Sequence, residues 1–293
     1  MKLAWRLTIG LLALIALSAG TLARAGDSPD PRSRLEKRVY RNAEGESLPY
    51  RLFVPRNYEP AKKYPIILFL HGAGERGDDN EAQLKHAGVL RLVSDEVAAK
   101  HPCFLVAPQC PTGDWWGGSI RGRKGPAKSA EKSPAKSAEK SPAKSAEKSP
   151  AKAPDEPSKA MRLTMALLDA LDKEYSIDPA RRYVTGLSMG GYGSFFLCAR
   201  RPKDFAAAMP ICGGGDEAKA KDMARIAFWI FHGDADNVVR PDSSRKMVAA
   251  LKEAGAKVKY TEYPGVGHDS WTPAYKEPDL VDWLFSQCRE PGK

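Results

Sequence analysis

The sequence predicts an α/β chain wound around one mostly parallel, eight-stranded, doubly wound sheet. Two observations predict it. Short β-branched or apolar runs alternate in βα fashion with longer stretches of helical period, and the central run is apolar throughout, as a strand covered on both faces would be. A third observation places chemistry on that sheet: a serine sits between two glycines where a strand must give way to a helix.

The elements follow in chain order. Strands are expected over 38–41, 50–55, 66–70, 104–107, 182–185, 206–211, 227–231 and 257–263. The first two read as an antiparallel edge. Ile66-Ile67-Leu68-Phe69-Leu70 is apolar throughout, as a strand covered on both faces must be. Helices are expected over about 161–175, 191–200, 241–254 and 280–288. Met161, Leu163, Leu167, Leu168 and Leu171 recur at near-helical spacing, so the first helix lays one face on the sheet. Pro241 suits a first helical position, and Gly255 suits the residue just beyond a helix end.

Two segments stand outside this alternation. Lys2 and Arg6 precede the apolar run 7–17, and Ala23-Arg24-Ala25 supplies an A-x-A cleavage pattern. Residues 1–25 therefore read as an export signal, leaving 26–293 as a periplasmic or extracellular chain without stable membrane insertion. The second segment, 121–158, interrupts the domain. Residues 127–150 are three copies of Ala-Lys-Ser-Ala-Glu-Lys-Ser-Pro, followed by a decayed copy over 151–158. Proline in each copy stops helix propagation, and no apolar residue there exceeds alanine, so a disordered Lys/Ser/Ala/Pro insert is expected. It reads either as a neutral expansion in a tolerant loop or as a polycationic tether for anionic polymers.

The formal charge of +10 belongs largely to these segments. Loss of Lys2, Arg6 and Arg24 leaves +7, and residues 121–159 carry eleven Lys/Arg against five Asp/Glu. The rest is close to neutral, which excludes specific nucleic-acid binding by the fold itself. The five cysteines, 103, 110, 198, 212 and 288, are odd in number and match no metal-binding spacing. No disulfide, metal or cofactor is assigned.

Gly186-Leu187-Ser188-Met189-Gly190 follows the run Tyr183-Val184-Thr185 and precedes Phe195-Phe196-Leu197. As a bare G-x-S-x-G it is a common pentapeptide. Between strand and helix it is more specific, because the turn lifts the Ser188 hydroxyl above the sheet toward helix N–H groups. Serine needs a base, and the base needs an orienting carboxylate. On such a sheet the order should be Ser, Asp/Glu, His, each beyond a strand end. After 227–231 comes His232-Gly233-Asp234-Ala235-Asp236, and after 257–263 comes Pro264-Gly265-Val266-Gly267-His268. His268 is the expected base; its order and position leave Asp234 and Asp236 both open. His86 and His101 lack strand-end context and read as surface residues, and His232 reads as support beneath the acid loop. Leu70-His71-Gly72-Ala73-Gly74 follows the central strand, so the backbone N–H groups of Ala73 and Met189 are expected to hold the charge developing on a carbonyl oxygen. Trp115, Trp116 and Trp271 fall on loops of this edge, either to stack on an aromatic or sugar group or simply to pack.

These residues resemble a known family. Leu70-His71-Gly72-Ala73-Gly74-Glu75-Arg76-Gly77, Ala107-Pro108-Gln109-Cys110-Pro111, Gly186-Leu187-Ser188-Met189-Gly190-Gly191, Pro210-Ile211-Cys212-Gly213-Gly214, His232-Gly233-x-x-Asp236 and Gly267-His268-Asp269-Ser270-Trp271 all look like α/β-hydrolases. The closer resemblance is to the bacterial exported branch called predicted peptidases. Those are similar to the catalytic domains of dienelactone hydrolases, feruloyl esterases and prolyl oligopeptidases. It covers about 35–117 and 157–288. It implies a single α/β-hydrolase domain, a carboxylate three positions after His-Gly and hence Asp236, and acyl transfer without a cofactor. The expected substrate is a small-molecule or polysaccharide-linked ester. A short peptide is the alternative substrate, and a polycationic tethering protein is the alternative of a different class.

Overall fold

A computed structural model describes residues 30–118 and 156–289. The expected signal and most of the expected insert lie outside these residues. The strands are β1 Glu36–Arg41, β2 Ser47–Phe53, β3 Tyr64–Leu70, β4 Phe104–Pro108, β5 Ile177–Leu187, β6 Ala207–Ile211, β7 Ala227–Gly233 and β8 Val258–Tyr263. They form one sheet in the order β1-β2-β4-β3-β5-β6-β7-β8. β1 and β2 pair antiparallel, β2 meets β4 antiparallel, and all remaining pairs are parallel. The α/β architecture and its early antiparallel edge agree with the sequence reading.

The α-helices are α1 Asp95–Lys100, α2 Lys159–Glu174, α3 Met189–Arg200, α4 Asp242–Glu253, α5 Trp271–Ala274 and α6 Leu280–Ser286. β3 is buried along its whole length, and its residues alternate between two cores. Ile66, Leu68 and Leu70 join α2, α3 and α4 on one face, through Leu163, Leu167, Phe195, Met247 and Leu251. Ile67 and Phe69 join Leu84, Val89, Leu280 and Leu284 on the other. Gly255 takes φ +84 just past α4, the left-handed turn that stops a helix without a side-chain clash.

Three boundaries differ from expectation. β5 starts at Ile177, five residues early, because Tyr64 pairs with Ile177 ahead of a register shift. The crossover from β3 to β4 holds 3-10 turns at Ala73–Glu75, Ala82–Leu84 and Ala87–Val93 before α1, none of which carries a helical period long enough to read. Residues 156–158, assigned by composition to the insert, belong to the folded unit. Pro157 pairs with Gly118 as an antiparallel bridge, and the Ser158 hydroxyl caps α2 by accepting from the N–H of Met161 at 3.1 Å. All five cysteines are free; Cys103, Cys110, Cys198 and Cys212 are buried and Cys288 is exposed. No helix among the described residues is long and apolar enough to cross a membrane.

Candidate active site

The chain reverses at Ser188, between the last residue of β5 and the first of α3. Its backbone takes φ +52 and ψ −113, a conformation that costs a side-chain-bearing residue strain of about 1–3 kcal/mol. The N–H of Ser188 donates to the carbonyl of Ile211 at 2.9 Å, stitching the turn to the end of β6. A β-carbon on Gly186 would overlap the backbone of Gly190, so the strand and helix can approach only with glycine there. The result is a half-exposed hydroxyl above the carboxyl ends of the strands, where doubly wound sheets bind ligands.

β7 and β8 deliver the other two groups. His268 Nε2 lies 2.9 Å from Ser188 Oγ, and Nδ1 lies 2.7 Å from Asp236 Oδ2. Asp236 is buried at 3 % exposure; its Oδ1 accepts from the amides of Val238 and Val239 at 2.8 and 3.0 Å. Burial works against the charge of this carboxylate. The hydrogen bonds from His268 and the two amides outweigh it and hold the group below its ordinary value of 3.8. An ionised Asp236 fixes the proton of neutral His268 on Nδ1, leaving Nε2 to accept from the serine hydroxyl. Asp234, the other candidate, points elsewhere: it is exposed, and its Oδ1 accepts from the N–H of Gly265 at 2.6 Å.

His232 lies beneath this loop, fully buried. Nε2 donates to the carbonyl of Val239 at 2.9 Å and approaches Asp236 Oδ2 at 3.2 Å, while Nδ1 faces Ser244 Oγ at 2.7 Å. Burial pushes its pKa down, so the ring stays neutral and braces the acid loop.

Ala73 begins the turn Ala73–Glu75, and Met189 begins α3. The first N–H groups of a helix lack intrahelical acceptors and are free to face a ligand. Leu70 and Gly186 are register partners, so both residues rise three positions beyond neighbouring points on β3 and β5. His71 is locked beneath: Nδ1 donates to the carbonyl of Gly72 at 2.6 Å, and Nε2 accepts from the N–H of Cys110 at 2.9 Å. Burial lowers its pKa to about 4, so it is a neutral strut. Gln109 adds a second tie, donating to the carbonyl of Glu75 and to Asp79.

Two histidines expected at the surface have partners, and one tryptophan takes the packing role that was one of the two expected for it. His86 is a half-buried partner of Glu75, with Nε2 3.1 Å from Oε1, rather than a free surface group. His101 stacks on Phe285 at 4.5 Å. Trp116 is fully buried, donating from Nε1 to the carbonyl of His71, and so packs rather than stacks on a ligand. Trp115 and Trp271 remain half-exposed, beside Tyr192 and His268 respectively. The roles of Glu75 and His86 escape sequence reading because neither follows a strand end nor falls in a periodic pattern.

Among the described residues, Cys212, Asp236 and His268 place potential ligand atoms within 4.8 Å of one another. They are ill suited to a metal. Asp236 and His268 are already bonded to each other, and burial pushes the Cys212 thiol up to about 12, so it stays protonated near neutrality.

Comparison with known proteins accords with this geometry. Residues 42–214 match the Esterase family, and residues 217–286 match the prolyl oligopeptidase family. "Probable feruloyl esterase C" from Aspergillus flavus is 33% identical over 224 residues, covering 75% of this chain and 67% of its own. The crystal structure of a thermostable esterase superposes with a TM-score of 0.75 at 37% identity, over 88% of this chain. This chain spans 64% of that esterase's length. A feruloyl esterase module from Clostridium thermocellum, solved as an S954A mutant with sinapinate, shares the fold at a TM-score of 0.55 and 15% identity. It covers 91% of this chain and 95% of its own.

Proposed function

The chain belongs to the Esterase family, and from that premise we propose that it is a serine hydrolase cleaving carboxylic esters through an acyl-enzyme. Ser188 is the nucleophile, His268 the general acid–base and Asp236 its orienting carboxylate. The carrying observation is the unbroken relay from Asp236 Oδ2 to His268 to Ser188 Oγ, at 2.7 and 2.9 Å.

In the proposed cycle, Ser188 Oγ attacks the ester carbonyl while its proton passes to His268 Nε2. The carbonyl π electrons move onto oxygen, where the N–H groups of Ala73 and Met189 receive the charge; one such donor is worth about 3 kcal/mol of barrier. Collapse re-forms the carbonyl and breaks the bond to the alcohol oxygen, which takes the proton from His268. Water then repeats the sequence on the acyl-serine, releasing the carboxylic acid and restoring the hydroxyl. Asp236 stays ionised throughout, stabilising the transient imidazolium.

The acyl group is taken to be acetyl or feruloyl, small or attached to polysaccharide, in line with the relatives named for feruloyl esters. The match of residues 217–286 to the prolyl oligopeptidase family favours short peptides as the second reading. Esters are preferred because an alcohol oxygen needs less help to leave than an amide nitrogen, which must first be protonated. The first 25 residues are read as a cleaved export signal, placing the mature protein in the periplasm or outside the cell.

A fluorophosphonate probe tests the nucleophile. Labelling of the wild type and not of Ser188→Ala supports the assignment; labelling of both, or of neither, overturns it. Parallel turnover of nitrophenyl acyl esters, feruloyl esters, acetylated xylan and a chromogenic peptide amide decides between ester and peptide. N-terminal sequencing of the secreted protein tests cleavage after Ala25.

A further inference from the structure

A cleft of about 480 Å³ opens on the far side of Trp271, the neighbour of the proposed base His268. Trp271 forms one wall, and its ring meets that of His268 nearly perpendicular, with centroids 5.4 Å apart. His86 forms another wall, 5.0 Å from Trp271 between centroids, and is tied through Glu75 to the turn that begins at Ala73. Tyr275 lies buried against the cleft, with its hydroxyl 2.9 Å from Thr185 Oγ1 inside the core. The cavity thus lies one side chain from the histidine, across Trp271, and is linked to the Ala73 turn through His86 and Glu75.

Its charge is one-sided. Lys85, Arg91 and Lys276 line the cleft, and among the described residues no Asp or Glu does. Arg91 is held in place, donating to the carbonyls of Tyr275 and Glu277 at 3.0 and 2.7 Å. Lys85 and Lys276 are exposed, and among the described residues neither ammonium forms an ion pair. Glu75 is engaged with His86, and Glu277 with the Tyr263 hydroxyl at 2.7 Å.

Reaction geometry then fixes which half of a substrate belongs here. His268 must hand its proton to the alcohol oxygen as the ester breaks, so the alcohol lies on the histidine side, toward Trp271. An indole wall suits the apolar face of a sugar ring, and unpaired lysines suit an anion carried by that ring. We propose that this cleft is the leaving-group subsite and that it accepts a carboxylate-bearing sugar, a hexuronate unit of an acylated polysaccharide. The inference rests on the serine-esterase reading above.

The test compares matched sugar esters carrying the same acetyl group, methyl galactoside against methyl galacturonide, on the full-length protein. The wild type is expected to favour the uronate by roughly tenfold in kcat/KM, chiefly through KM, as charge-assisted contacts provide. That preference should shrink with added salt, because the lysines are exposed to screening. In Lys85→Ala/Lys276→Ala the ratio should fall close to one. A wild-type ratio near one, or an unchanged ratio in the double variant, overturns the subsite. Preference for a sulfated galactoside over the uronate overturns the carboxylate assignment. Nitrophenyl acetate keeps the two readings apart: its turnover without uronate preference removes the subsite and leaves the esterase standing. No turnover of any ester, with no fluorophosphonate labelling, removes both.

Discussion

Gly190 lies so close beneath the end of β3 that a β-carbon placed on it would overlap the carbonyl oxygen of Leu70. Backbone, not a flexible side chain, occupies that space, so neither partner can move aside cheaply. Gly190→Ala should therefore cost about 3 kcal/mol or more, or prevent folding. Gly74→Ala provides the control, since a β-carbon there meets nothing within 4 Å. Urea unfolding of the two variants checks this, and a loss below about 1 kcal/mol for Gly190→Ala contradicts it.

The positive φ of Ser188 predicts opposite effects on activity and stability. Ser188→Ala and Ser188→Gly should both lose at least about a thousandfold in kcat. Glycine relaxes the strained turn and alanine does not, so Ser188→Gly should be the more stable by about 1 kcal/mol, net of glycine's own entropic cost. Equal melting temperatures for the two would show that the turn stores no strain.

Asp236→Asn should lower kcat by roughly 10⁴, because an amide favours the wrong tautomer of His268. Asp234→Asn should stay within roughly tenfold of wild type, losing part of one loop hydrogen bond at the Gly265 amide. Steady-state kinetics on a nitrophenyl ester separates them, and the reverse order would move the acid to Asp234.

Stability should depend on pH through His71. Its pKa falls from 6.5 to about 4 on folding, so between those values the unfolded chain binds the extra proton. The neutral ring contributes fully above pH 6.5, and its contribution is lost as pH falls toward 4. The difference corresponds to about 3 kcal/mol at most. Melting temperatures of the wild type should decline across that window. His71→Asn should melt lower at pH 7.5 yet decline less steeply; parallel slopes would assign the titration elsewhere.

The bridge between Gly118 and Pro157 predicts that the repeats can be removed. Replacing 119–155 with a short Gly/Ser link should leave turnover of a soluble ester within about twofold, since both ends of the loop are already paired in the folded unit. If the lysine repeats tether the protein, the same deletion should abolish salt-sensitive retention on anionic polymers. Retention by the shortened protein would exclude that role.

The proposed order Ser188, Asp236, His268 is legible because each residue follows a strand whose residues announce it: Tyr183-Val184-Thr185, the apolar run of β7, and the β-branched or aromatic positions of β8. Local sequence alone did not choose between Asp234 and Asp236. What separates them is which side chain turns inward to meet the Val238 and Val239 amides, a tertiary fact. The crossover around Glu75, His86 and Ala87–Val93 was illegible for a related reason. It is held by single side-chain contacts and short turns, so no period of 2 or 3.6 residues marks it. Tyr275 was hidden too, because its partner Thr185 is ninety residues distant.

The distribution of thiols has a practical consequence. Four are sealed in the interior, with burial pushing all of them well above the ordinary cysteine value, while Cys288 stands in the open. The neighbouring residue Arg289 donates its amide to the carbonyl of Ala180, near the entry of the strand whose exit carries Ser188. A maleimide should therefore mark each molecule once, at the end of β5 opposite the proposed catalytic rim. A protein grafted to a support through that sulfur would present its proposed working face outward.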